Sequence, residues 1–206
     1  MSFKIAGISS FLPGSPISNK DLEKLTDTSD EWITTRTGIK QRYFADCSNS
    51  DLAFNATKKL LDASGLDSGD IDLVIAATTT PDRAFPSLAT TVCGMIGAAN
   101  IPSFDINAVC SGFIYALHVA SSLMKTNSYK NTLLICSEKM SSVLDMNERS
   151  TAVLFGDGAA AILLQPCSER IFDTIISSDG SFFEALKTEK SWKTLIEINK
   201  YTLGII

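Results

Sequence analysis

The run Ile71–Ala77 is apolar and of strand length, and it narrows the choice of fold more than any other stretch. A strand with one face in water alternates apolar and polar residues. A strand that is apolar throughout must be covered on both faces, as in a parallel sheet held between helices. The neighbouring segments can supply those covers. Ser50 is expected to cap a helix running through Ala63, with Leu52, Ala56, Leu60 and Leu61 at helical spacing and Gly65 stopping it. After the apolar run come an expected helix over Ser87–Gly97, a strand over Ser103–Ala108, a helix over Ser111–Lys125 and a strand over Thr132–Cys136. This order predicts right-handed crossovers and a layered α/β sandwich with a mostly parallel sheet. Lys4–Ser9 reads as a first strand. Asn19–Thr37 reads as two short helices, with Leu22 and Leu25 on one face of the first and Trp32 and Ile33 in the second. Gly158–Leu164 and Ile171–Ser177 read as further strands, antiparallel to their neighbours.

With 206 residues, 45% of them hydrophobic and 20% charged, the chain can bury a sizeable core. A formal charge of -5 provides no broad cationic field for nucleic acid or an anionic membrane, so any anionic ligand must be gripped locally. The opening MSFKIAGISSFLPG meets Gly and Pro too soon for a secretory apolar core, and a cytoplasmic location is expected. Five cysteines, widely separated and without a CxxC pair, beside a single histidine, argue against zinc and against a disulfide framework.

The segment Phe104–Phe113 places Cys110 where an apolar strand gives way to a helix. Free backbone N–H groups and the positive end of the helix dipole stabilise a thiolate there, and the same amides can hold the oxyanion formed when a thioester is attacked. Spacing alone leaves Cys110 open between such a nucleophile and a small buried core residue. Cys47, Cys93, Cys136 and Cys167 lack the junction and read as structural. His118 lies eight residues on, roughly 12 Å along the same helix at 1.5 Å per residue, beyond hydrogen-bond reach of Cys110. Trp32 and Arg36 share a helical face and offer an aromatic plane and a planar cation to a nucleotide; a surface arginine lying over a half-buried tryptophan has the same spacing. The turn Phe155–Ala161 opens a strand and lacks the phosphate-loop pattern, so it reads as a tight turn against another strand.

Taken in order, DTSDEWITTRTGIKQR, ATTTPDRAFPS, NAVCSGFIYAL and FGDGAAA resemble the thiolase-fold condensing enzymes, and within them β-ketoacyl-acyl-carrier-protein synthase III, as far as about Ser181. The resemblance implies one copy of a duplicated βαβαβ architecture and a homodimer. It implies that Cys110 takes an acyl group, typically acetyl, from acyl-CoA, after which malonyl-acyl carrier protein loses carbon dioxide and attacks the thioester, initiating type II fatty acid biosynthesis. It also implies that Trp32 and Arg149 flank the CoA adenine, that Arg36 lies near the phosphates, that Thr28 makes a polar contact, and that Phe85 walls an acyl pocket across the dimer interface. No metal and no cofactor is expected, acyl-CoA being a substrate.

The histidine, the asparagine and the glycine amide that the resemblance places in the family's carboxy-terminal half have no counterpart here. Residues 1–182 are expected to form the domain. Residues 183–206, rich in Lys, Ile, Asn and Tyr, are expected to be a tail of different origin, such as a frameshift. The alternatives to a condensing enzyme are a non-catalytic remnant or complementing subunit, or another CoA enzyme of the thiolase superfamily.

Overall fold

The computed structural model describes residues 3–168, 173–184 and 187. Its centre is a five-stranded sheet of β1 (Phe3–Phe11), β4 (Leu73–Ala77), β5 (Ser103–Ile106), β6 (Thr132–Lys139) and β7 (Asp157–Pro166), in the order β1-β7-β6-β4-β5. β4 pairs in parallel with β5 and β6, while β7 runs antiparallel to β6 and to β1. One strand is therefore reversed among four that share a direction. A two-stranded ribbon of β2 (Ile17–Ser18) and β3 (Gln41–Arg42) stands apart.

The apolar run divides between two cores as its pleat dictates. Val74 and Ala76 face α3 (Asn49–Ser64) and α4 (Leu88–Ile96), where Leu52, Ala56, Leu60, Val92, Leu133, Ile135 and Leu163 are buried with them. Leu73, Ile75 and Ala77 face α5 (Gly112–Asn127), among Ala116, Leu117, Ala120, Leu134, Ile162 and Leu164. Each fully buried aliphatic side chain contributes about 1.5–3 kcal/mol relative to exposure. The sheet is thus a layer between helices on both faces, as the uninterrupted apolarity of β4 required.

Several boundaries differ from those read in the sequence. The cap of α3 is Ser48, whose hydroxyl accepts from the Asp51 N–H while the Asp51 carboxylate accepts from the Ser48 N–H. Ser50 lies buried inside the first turn. That reciprocal box closes two backbone donors and outcompetes a cap at Ser50. α1 (Asn19–Leu22) is a single turn that buries Leu22 but leaves Leu25 beyond its end, 56% exposed. β5 stops at Ile106 and β6 continues to Lys139. Asp173–Ser177 form no strand, and two side chains of residues 174–178 bond α5 instead, Thr174 to His118 (2.5 Å) and Ser178 to Tyr115 (2.9 Å). Ile171 and Phe172 lie outside the described residues, as does the segment from 183 apart from Phe183, Glu184 and Lys187. Among the described residues no helix is long and apolar enough to cross a membrane.

Candidate functional site

β5 delivers the chain to a short 3-10 turn, Val109–Ser111, from which α5 departs. Cys110 is exposed at the middle of that turn. Val109 before it has a φ of 46°, a conformation that costs a β-branched residue energy and that clusters at functional sites. The turn is held by bonds from the Ser111 N–H to the Ala108 carbonyl (3.0 Å) and from the Gly112 N–H to the Val109 carbonyl. The Cys110 N–H has no acceptor among the described residues, and no side chain caps α5. An exposed sulfur beside its own free amide at a helix start suits attack on a thioester carbonyl and retention of the resulting oxyanion.

Gly112 permits this geometry. A Cβ there would stand 3.2 Å from the Ala77 Cβ, so the glycine seats the start of α5 directly on the carboxyl end of β4.

Cys47, Cys93 and Cys136 are set in less reactive surroundings. Burial raises the pKa of Cys93 and pushes that of Cys136 up to about 11, and burial with the charge of Asp51 raises that of Cys47. Those three thiols stay protonated at neutral pH. His118 bonds Thr174 through Nδ1, in keeping with a packing role.

A second cluster gathers the other candidates. Ser29 caps α2 (Asp30–Thr37) by accepting from the Trp32 N–H at 3.1 Å, and Gly38 ends the helix at φ 72°. Ile33 from α2 packs in a small core with Leu22 and Val153, against which Trp32 and Met146 lie, and the Thr26 hydroxyl donates to the Met146 carbonyl at 2.6 Å. This packing brings α6 (Arg149–Ala152) beside α2. Arg36 and Arg149 then place their guanidinium carbons 4.5 and 4.7 Å from the Trp32 ring centroid. Arg149 also donates to the Asp27 carbonyl at 3.3 Å. Neither arginine pairs with a carboxylate among the described residues, so two cations on one aromatic ring stand open to an anionic or planar ligand. The Thr28 hydroxyl oxygen nearby in sequence is buried and has no hydrogen-bond partner among the described residues. Trp32, Arg36 and Arg149 are thus brought together across the sequence. Phe85, in the loop before α4, is 81% exposed.

The turn Gly156–Gly158 serves packing. A Cβ at Gly156 would meet Arg42 and Tyr43 at 3.1–3.3 Å, and the buried Asp157 carboxylate accepts from the Ala45 N–H (2.7 Å) and from the Ser141 N–H (2.8 Å) and hydroxyl (2.6 Å). Three further acids act as acceptors in the same way. Asp82 takes the first two amides of α3, and Asp105 those of α4. Glu138 takes donors from Thr78–Thr80. Their only signal in the sequence was a lone acid at the end of an apolar segment or in the loop beyond it.

A family model described as 3-oxoacyl-[acyl-carrier-protein (ACP)] synthase III matches residues 104–180, a span that includes Cys110 and Arg149. The beta-ketoacyl-[acyl-carrier-protein] synthase III of Rickettsia canadensis (strain McKiel) is 49% identical over 192 residues, covering 91% of this chain and 61% of its own length. That of Rickettsia prowazekii (strain Madrid E) matches with the same identity and coverage. Among solved structures, the 3-oxoacyl-[acyl-carrier-protein] synthase III from Aquifex aeolicus VF5 superposes with a TM-score of 0.78 at 46% identity, over 81% of this chain and 55% of its own. The priming beta-ketosynthase from the R1128 polyketide biosynthetic pathway reaches 0.88 at 32% identity, over 95% and 60%. The chain spans about three-fifths of the length of the curated relatives it matches.

Proposed function

The chain is related across 91% of its length to the β-ketoacyl-acyl-carrier-protein synthases III, and on that footing we propose that Cys110 accepts an acyl group, acetyl in the first instance, from an acyl-CoA. The Cys110 thiolate attacks the thioester carbonyl. Its sulfur–carbon bond forms, the CoA sulfur–carbon bond breaks, and CoA leaves as a thiolate that takes up a proton. The Cys110 N–H supplies one donor to the transient oxyanion. Trp32, Arg36 and Arg149 grip the nucleotide end of CoA, with Thr28 supplying a polar contact. The cluster provides stacking surface and local positive charge on a chain whose net charge is -5.

In the full reaction, malonyl-acyl carrier protein loses carbon dioxide and its carbanion attacks the acyl-enzyme, returning the thiolate and releasing a β-ketoacyl product. The histidine and asparagine implied for that step have no match in these 206 residues, whose one histidine is the Thr174-bonded His118. Acyl uptake is accordingly the step assigned to this chain's residues, and condensation draws on groups beyond them. Working as a homodimer in the cytoplasm, with Phe85 covered by a second subunit, belongs to the same reading; the exposure of Phe85 supports it.

The observation that carries the proposal is the exposed Cys110 at the uncapped start of α5. Incubation with acetyl-CoA should add one acetyl group to the intact protein, and Cys110→Ser should abolish the adduct. A folded protein that gains no acetyl mass contradicts the assignment.

A further inference from the structure

We propose that Glu138 is a positioning residue for the Cys110 turn, acting through the threonine run Thr78–Thr80; the inference rests on the reading of Cys110 as the acyl acceptor. Glu138 stands near the carboxyl end of β6, half-buried. Its carboxylate gathers donors from one tripeptide: the Thr79 N–H at 2.7 Å, the Thr79 hydroxyl at 3.1 Å, the Thr78 hydroxyl at 3.4 Å and the Thr80 hydroxyl at closer range. No cation pairs with it among the described residues. Among the described residues the hydrogen bonds of this carboxylate all go to this loop.

The loop it holds forms the flank of the nucleophile turn. The Thr78 N–H donates to the carbonyl of Ile106, the last residue of β5, at 3.2 Å. Ala77 is the residue against which Gly112 is packed. The end of β4 therefore touches the chain four residues before Cys110 and two residues after it. Moving Thr78–Thr80 moves both shoulders of the turn.

The polarity of the three hydroxyls adds to this. A hydroxyl has one hydrogen and two lone pairs. The Thr80 hydroxyl accepts from the Lys139 N–H at 2.8 Å, and the Thr78 hydroxyl accepts from Asn49 Nδ2 at 3.1 Å and from the Thr80 N–H at 3.2 Å. Thr79 is half-buried, and beyond Glu138 its hydroxyl has no partner among the described residues. With its hydrogen committed to the carboxylate, Thr79 presents only an acceptor to whatever lies against the turn.

The test compares the parent chain with Glu138→Gln, Thr79→Val and the double variant. Glutamine keeps the shape but turns an NH2 toward groups that are themselves donors, so the hydroxyl hydrogens must reorient. Glu138→Gln should retain the parent thermal transition and slow the rate constant of acetyl transfer to Cys110 by about tenfold, at an unchanged half-saturating acetyl-CoA concentration. Thr79→Val should reproduce that loss, and the double variant should add nothing to it. Alkylation of Cys110 by iodoacetamide at pH 7 should slow about threefold in Glu138→Gln. A merely structural role lowers the folded fraction, and with it the amplitude of the adduct, but not its rate constant. Parent rate constants for both reactions in Glu138→Gln would overturn the proposal. If the parent chain takes up no acetyl group, the acyl-acceptor reading fails on its own, and the alkylation rate alone decides Glu138: unchanged overturns it, slowed upholds it.

Discussion

Three long helices begin at the sheet, and they begin differently. α3 and α4 are closed at their starts twice over, by the hydroxyls of Ser48 and Ser87 and by the carboxylates of Asp82 and Asp105, which take the next free amides. α5 begins with Ser111, whose hydroxyl caps nothing among the described residues, and with an exposed cysteine whose N–H has no acceptor among them. Since every helix start carries unsatisfied donors and a partial positive charge, the difference is where the protein has spent its own acceptors. At two ends it has satisfied the donors for stability. At the third, one donor, the Cys110 N–H, is left without an acceptor among the described residues, on the nucleophile itself.

That contrast can be broken by removing the acceptors one at a time. Asp105→Ala should cost the most, about 2–3 kcal/mol in a urea-unfolding measurement, because two amide bonds to a half-buried carboxylate are lost and their donors, on the buried Leu88 and Ala89, stay desolvated. Trp32→Ala, which removes the ring under both arginines, should raise the half-saturating acetyl-CoA concentration about tenfold, about 1.4 kcal/mol, while leaving the Cys110 alkylation rate as it was. Ser48→Ala and Ser87→Ala should each cost about 1 kcal/mol. Ser111→Ala should fall within about 0.5 kcal/mol of the parent, having no cap to lose. A Ser111→Ala loss equal to that of Ser48→Ala would show that α5 is closed like the others.

Asp105 sharpens the comparison through pH. Burial raises its pKa above the ordinary carboxylate value of 3.8, outweighing the lowering by the Ala89 and Leu88 amides. A folded-state pKa above the unfolded one means that the native protein binds more protons in between. Its contribution to stability therefore falls as pH rises from 3.8 through the folded-state pKa. Asp105→Asn should remove that decline and, by keeping one acceptor oxygen, cost less at pH 7 than Asp105→Ala. Unfolding curves recorded across that range for the two variants and the parent check the sign.

The layered plan was legible because β4 is apolar on both of its alternating sets, and only burial on both faces tolerates that. Cys110 was legible as a junction residue, open between a nucleophile and a core residue; what decides between them is the 3-10 turn and the seating of Gly112 on Ala77, 35 positions away in sequence. Trp32 with Arg36 could be read from helical spacing. Arg149 on the same ring could not, since only the packing of Ile33 against Val153 brings it there. Asp82, Asp105, Asp157 and Glu138 were invisible as acceptors, because an acid's partners are backbone amides or hydroxyls from other segments. The misplaced cap at Ser50 is the local form of that failure, a serine two residues off being indistinguishable without the Asp51 geometry. Ile171–Ser177 has the alternation of a strand, but Thr174 lies against His118 instead of a ladder.

Cys110 is set apart from the other four cysteines by its exposed place at the start of α5. Peptide mapping after brief exposure of the folded protein to acetyl-CoA at pH 7 tests this directly. The acetyl group should appear on the peptide carrying Cys110 and on none carrying Cys47, Cys93, Cys136 or Cys167. Acetylation spread over Cys47 or Cys167 at a comparable rate, or its absence from Cys110, would contradict it.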